Sequence, residues 1–345
     1  MLAYILKRLL LMLPTLIGVL TVTFVVIQFV PGGPVEQIMA EARASQRGGE
    51  GMVYKAARDS DAKQIAELKK LYGFDKPVHV RYLEMLSSFA RFDLGRSFLQ
   101  NQDVWPLIVS KLPVSISLGV WTFLLSYLIS VPLGIAKAVR DGTRFDFATT
   151  LVVLVGYAIP GFVLGVFLIV LFAGGTFLEW FPLRGLVSDN WRELSWPARI
   201  ADYFWHLTLP LTCLVVGSFA VITMLTKNSF LEEIRKQYVL TARAKGLGER
   251  QVLWKHVFRN ALMPIIAGFP AAFLGAFFTG SLLIETLFSL DGLGLLGYES
   301  LVRRDYPVVL GSLYLFTLIG LVVKLISDLT YVLVDPRVQF GAVAK

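Results

Sequence analysis

Charge-free apolar runs long enough to cross a bilayer recur along the chain at residues 9–30, 112–136, 148–173, 207–226 and 260–284. A hydrocarbon core is crossed by about 20 apolar residues in helix, so each run predicts a span. A sixth run, residues 306–334, is interrupted by Lys324 and Asp328. These stand four apart, where they can pair on one helix face. Inside a membrane such a pair is a functional-site candidate, and near a helix end it is equally a snorkelling structural pair. The pattern predicts an all-α integral membrane protein of six transmembrane helices. The first run follows Lys7 and Arg8 and could be read as a cleaved leader with Ala40-Glu41-Ala42 as its processing site. Its apolar core is too long and that site too distant, so it is expected to remain as the first span.

Two segments between the spans are polar. Residues 31–111 open with Pro31-Gly32-Gly33-Pro34, which ends the first helix, and run on through a polar stretch containing Gly48, Gly49 and Gly51. From Asp61 the pattern turns helical, with Ile65, Leu68 and Leu71 on one face and Gly73 as its stop, and a second amphipathic piece follows around Tyr82 to Phe89. This predicts a small external helical cap, too poor in apolar residues for an enzyme domain. The expected division is 1–30 for the N-terminal segment and first span, 31–111 for the cap, and 112–345 for a transmembrane core. Within that core, residues 227–260 form a charged hairpin. One helix is expected from Ser229 to Lys245, stopped by Gly246-Leu247-Gly248, and another from Glu249 until Pro264. Ala242 and Ala244 flank Arg243, and Lys245 follows. Small side chains admit another surface close to the backbone, and the cations can meet acidic partners across an interface. The alternative is an amphipathic helix resting on anionic lipid.

Composition excludes most other classes. Of 345 residues, 55% are hydrophobic and 17% charged, and the mean hydropathy is +0.65. Those values rule out a soluble fold, a disordered tail and a collagen-like chain. Cys213 is the only cysteine, so no intrachain disulfide forms. The net charge of +8 is unevenly placed. Lys137, Arg140 and Arg144 lie in 137–147 and eight more basic residues in 227–260, against three in 174–205 and two in 285–305. Positive loops stay inside, which predicts cytoplasmic termini, an external 31–111 segment and no nucleic-acid partner.

Several motifs mislead. Gly292, Gly294 and Gly297 spell the dinucleotide fingerprint, but that signature needs a strand before it and a helix after it in a βαβ unit. Turn-forming glycines at a pore mouth fit better. No phosphate-cradling G-x-x-x-x-G-K-[ST] occurs, so any ATP that drives the protein is bound elsewhere. His79, His206 and His256 lie in separate regions and make no metal-ligand pattern. No H-E-x-x-H or G-x-S-x-G supplies a hydrolase with its groups. Gly161 and Gly165 form a G-x-x-x-G that can admit a neighbouring helix. Pro132, Pro160 and Pro270 fall inside spans, where they bend a cavity wall or merely accommodate a neighbour. Glu285, Asp291 and Glu299 near the external end of the fifth span are candidate contacts for a cationic substrate, or simply topological bias. A proton-coupled secondary transporter would show internal repeats and ionisable groups at midplane, which five charge-free runs lack.

Thr241-Ala242-Arg243-Ala244-Lys245-Gly246-Leu247 followed by Arg259-Asn260-Ala261-Leu262-Met263-Pro264 resembles the EAA coupling motif of the permease subunits of ABC importers for peptides, in the dipeptide and oligopeptide branch. Lys7-Arg8-Leu9-Leu10, Tyr72-Gly73-Phe74-Asp75-Lys76-Pro77, Phe92-Asp93-Leu94-Gly95-Arg96-Ser97 and Asp335-Pro336-Arg337 extend the resemblance nearly end to end. Pro31-Gly32-Gly33-Pro34 departs from the branch's usual Pro-Gly-Asp-Pro, and the external segment is longer than usual. Together with residues 181–188 and 225–231, these features are similar to the YejB-type permeases for peptides, including microcin C. The resemblance implies the type I permease fold and a multi-pass place in the bacterial inner membrane, among membrane lipids. It implies a heterodimer with a second permease, two cytoplasmic ATPase domains, separate or fused in one chain, and an external peptide-binding protein. It gives Thr241, Ala242, Arg243, Ala244, Lys245, Gly246 and Pro264 an ATPase-coupling role. No cofactor is expected in this chain, since ATP and magnesium sit on the partners.

Overall fold

The computed structural model describes residues 2–29, 75–175, 177–276 and 281–334. The helix expected from Asp61 and the Asp335-Pro336-Arg337 terminus lie outside them. The described residues are helical: α1 (Leu2–Phe29), α2 (Val78–Ala90), α3 (Val104–Val139), α4 (Arg144–Ala158), α5 (Gly161–Phe172), α6 (Trp196–Ile234), α7 (Gln237–Ala244), α8 (Glu249–Gln251), a π-helical turn (Val252–Val257), α9 (Phe258–Ala261), α10 (Met263–Ala276), α11 (Leu282–Leu287), α12 (Leu293–Val302) and α13 (Tyr306–Val334). Among them α1, α3, α6 and α13 are long and apolar enough to cross a membrane.

The six expected spans are therefore only partly matched. The third is two helices, α4 and α5, bent by 92°. Pro160 has no amide hydrogen, and it drives Ile159 out of the helical region to ψ 117. The two ends of the pair meet α6 at well-separated points. Asp146, near the start of α4, contacts Lys227, and the segment after α5 reaches Trp205, whose indole donates to the Trp180 carbonyl at 2.7 Å. Trp205 and Lys227 are twenty-two residues apart on α6, about 33 Å at the rise of an α-helix. Of the fifth expected span, the described residues form α9, the 14-residue α10 and the start of α11, and residues 277–280 lie outside them.

The chain forms two compact units, Met1–Lys111 with Leu296–Leu321 and Leu112–Leu295 with Val322–Lys345. In the first, the amphipathic piece predicted around Tyr82 is α2, laid against α1. Tyr82 shares a 2.6 Å hydrogen bond with Thr21, and Arg81 donates to Gln28 at 2.6 Å. The loop after α2 is tied to the start of α13, where buried Asp305 accepts from the Ser97 hydroxyl and the Phe98 amide. A Cβ on Gly311 would lie 2.8 Å from Val104, so glycine there allows the loop to close.

In the second unit, α3 approaches α6 through small residues. Ser130 donates to the Phe219 carbonyl at 2.9 Å, and a Cβ on Gly134 would meet Thr226 at 2.6 Å. The G-x-x-x-G does admit a helix: Gly161 faces the Cys213 carbonyl and Gly165 the Cys213 sulfur. Leu118, Leu207, Leu211, Cys213, Ile284 and Phe288 form the core at that end.

Candidate functional site

The hairpin differs from the single helix expected over Ser229 to Lys245. Helix α6 runs through Ser229 to Ile234, and Lys236 then turns extended at ψ 150 before α7 begins. Glu233, one turn back, takes a hydrogen bond from the Lys236 ammonium, which raises its pKa. The eight residues of α7 close on a glycine. Gly246, at φ +81, donates to the Arg243 carbonyl, and Leu247 donates to that of Ala242. This pair of bonds with a left-handed residue is the Schellman arrangement, which satisfies carbonyls that a helix end leaves open.

That geometry sorts the motif. Ala242 turns inward and packs with Ala138, Phe230, Val239, Val252, Val257 and Ala261. Thr241, Arg243, Ala244, Lys245 and Gly246 are exposed. Arg243 is not left for a distant partner, because its guanidinium bonds Glu249 across the turn at 2.8 and 3.0 Å. The π-helical turn puts Val252 and Val257, five residues apart, into one core, matching its i to i+5 repeat. An α-helical register would have placed polar side chains there. Trp254 faces out against Phe258.

The two halves of the motif converge. Tyr238 donates to Glu233 at 2.7 Å, and Asn260 donates to Tyr238 at 3.3 Å. Burial first, and then the neighbouring Glu233, raise the phenol's pKa, against a lowering contribution from Asn260. Pro264 lines a groove of about 440 Å³ beside them, with Ser229, Lys236 and Met263. The hairpin thus packs on a single core and presents one exposed, glycine-terminated helix, α7.

Other candidates fall elsewhere. Glu285 is fully buried and accepts from the Ser281 and Leu295 amides, so it holds a loop and offers no carboxylate to a passing substrate. Asp291 and Glu299 are exposed. Lys324, exposed, and Asp328, half-buried, stand one turn apart on α13. Sequence reasoning missed an ionic cluster beside the hairpin, in which buried Lys137 and Asp146 meet half-buried Lys227 and, at its rim, exposed Asp141. Lys137 had counted as a loop cation. Thr143-x-x-Asp146 before an apolar run is a helix-capping signal that marks the place, and Thr143 indeed caps α4.

Comparison with known proteins shows the family. The family described as Binding-protein-dependent transport system inner membrane component matches residues 130–340. The chain is 57% identical to the Peptidoglycan transport system permease protein YejB of Agrobacterium fabrum, over 98% of each chain. It is 53% identical to the Inner membrane ABC transporter permease protein YejB of Escherichia coli O157:H7, over 98% of this chain and 99% of the other. Identity to the Oligopeptide transport system permease protein AppB of Bacillus subtilis is 33%, over 99% and 100%. The solved inward-facing methionine transporter MetNI aligns at a TM-score of 0.47 and 18% identity, covering 66% of this chain and 96% of its own, a likeness too weak to carry inference. The chain belongs to the binding-protein-dependent transport system inner membrane component family.

Proposed function

We propose that this chain is a transmembrane permease subunit of an ATP-driven importer of peptides. The observation that carries the reading is α7, a short exposed helix with a glycine stop, seated through Val239 and Ala242 on a core that Phe230 of α6 shares. Such a helix docks on a partner without yielding, and its displacement passes directly into a membrane helix. Permease relatives that are 57%, 53% and 33% identical, each aligned over nearly the whole chain, support the same role. In this reading, a second permease completes the pathway, and two cytoplasmic ATPase domains, holding ATP and magnesium, grip the hairpin. The termini and hairpin are cytoplasmic, the external 31–111 segment caps the entrance, and a peptide-binding protein delivers substrate there. Two relatives are named for peptidoglycan and oligopeptide transport, which supports oligopeptides as the substrate class here, and the YejB-type resemblance adds microcin C. Asp291 and Glu299 are the remaining candidates to meet a cationic peptide.

The test is the pair Arg243→Glu with Gly246→Trp. Charge reversal breaks the Glu249 pair, and a bulky residue at positive φ is strained and blocks close approach. Uptake of peptide by the reconstituted complex is expected to vanish while membrane insertion persists. Full uptake and normal ATPase stimulation by the double variant would reject the reading.

A further inference from the structure

In the second unit, three helices meet at one carboxylate. Lys137, in the last turn of α3, is completely buried. Its ammonium lies 2.9 Å from the Asp146 carbonyl, 3.0 Å from Asp146 Oδ1, and 3.0 and 2.6 Å from the Thr149 and Thr150 hydroxyls. Lys227 of α6 reaches Asp146 Oδ2 at 2.7 Å and Asp141 at 3.0 Å. The Gly142 amide donates to Asp146 Oδ2 at 3.3 Å, and Arg235 stands 3.5 Å from Asp141. Two lysines therefore face two aspartates: Lys137, Asp141 and Asp146 come from the junction of α3 and α4, and Lys227 from α6.

Helix polarity favours the same arrangement. Asp146 sits in the first turn of α4, at the positive end of its dipole, and Lys137 in the last turn of α3, at the negative end of its own. A buried ionic cluster of this kind adds little net stability, because desolvation offsets attraction. Removing one member is costly, since it strands a buried charge. Such a cluster accordingly selects one geometry and resists every partial opening. Its place gives that property a use. Ala138, next to Lys137, and Phe230, one turn beyond Lys227, both lie in the core that seats α7.

We infer that Asp146, Lys137 and Lys227 are positioning residues that weld the ends of α3, α4 and α6 to the hairpin as one rigid body. Movement of α7 then reaches three membrane helices at once. With the weld broken, α6 follows the hairpin while α3 and α4 lag, and ATP is hydrolysed without import. The inference rests on the importer reading.

The experiment places nitroxide labels at Phe147→Cys and Gln251→Cys, both exposed, and leaves buried Cys213 in place. Distances are measured by pulsed electron resonance in the assembled complex, with ADP and with a trapped ATP state. The unmodified weld is expected to give one narrow distance that is the same in both states. Lys227→Met is expected to broaden it at least twofold and make it nucleotide-dependent, and to lower radiolabelled tri-alanine imported per ATP about tenfold, a loss equivalent to about 1.4 kcal/mol of coupling. Lys227→Arg should restore the narrow distance. An unchanged narrow distance in Lys227→Met, or a nucleotide-dependent one in the unmodified weld, overturns the inference. So does failure of both Lys227→Met and Lys227→Gln to assemble, which would make the cluster a requirement of folding alone. An unmodified chain that never co-purifies with ATPase subunits instead overturns the importer reading, and the distance in the isolated chain still reports on the weld.

Discussion

Glu285 is a charge held by backbone dipoles. Ser281 and Leu295 amides sit 3.1 and 2.7 Å from its two oxygens, and a Cβ on Gly292 would lie 2.6 Å from the carboxylate carbon. Gly292→Ala must therefore displace a bonded carboxylate, and we expect a loss of about 1–3 kcal/mol from overpacking, read as a lower Tm in detergent. Glu285→Gln puts an amide nitrogen against one of the two donors, at a similar cost of about 1–3 kcal/mol for the unsatisfied group. In the protein that survives, competition between cationic and neutral peptides should be unchanged, because the side chain has no exposed surface. A shift in that selectivity would return Glu285 to the substrate path. The sequence places Glu285 beside Asp291 and Glu299 in one acidic loop, and only burial separates them. The same blindness affected Lys137. Charge counting sees a residue's sign, whereas the turn that folds it back on Asp146 depends on long-range packing with Lys227.

At the level of elements, hydropathy located the four long apolar helices and misjudged their ends. α3 and α6 have 36 and 39 residues, well beyond their charge-free runs. A charged residue ends an apolar run but not a helix, since lysine is a good helix former, and α3 and α6 run on past Lys137 and Lys227, whose ammoniums are paired. Pro160 was legible as a local feature; the 92° bend was not, because a proline's consequence depends on what receives the chain after it. Here the receiver is α6, which Gly161 and Gly165 approach at Cys213. A Cβ on Gly165 would meet the Cys213 sulfur and Leu287 at 3.4 Å, ordinary contact. Gly165→Ala should therefore fold normally. Gly165→Leu has no room for its outer carbons and should lose about 1–3 kcal/mol, seen as reduced yield of monodisperse protein and a lower Tm. Equal behaviour of the two variants would mean that the helices part easily at this crossing. The hairpin motif was readable nearly whole, since its glycine stop and small residues are local, while the π-helical turn that seats Val252 with Val257 was not.

For the molecule as a whole, orientation is the property on which the importer reading depends most, and the structure makes it testable with two residues. Asn190 precedes α6 and Gln251 follows α7, and both are exposed. Between them lies one membrane helix, α6, which at 39 residues is about 58 Å long and exceeds the hydrocarbon thickness. The two positions are therefore expected to face opposite sides of the bilayer, whatever the path of the fifth expected span. The excess of lysine and arginine in 227–260 over 174–205 predicts that the Gln251 side is cytoplasmic. With Cys213 buried and silent, a membrane-impermeant maleimide should label Asn190→Cys in spheroplasts. It should reach Gln251→Cys only after the membrane is permeabilised. The reverse pattern would put the hairpin on the side that holds no ATP, and no exposed, glycine-terminated helix there could be driven by an ATPase.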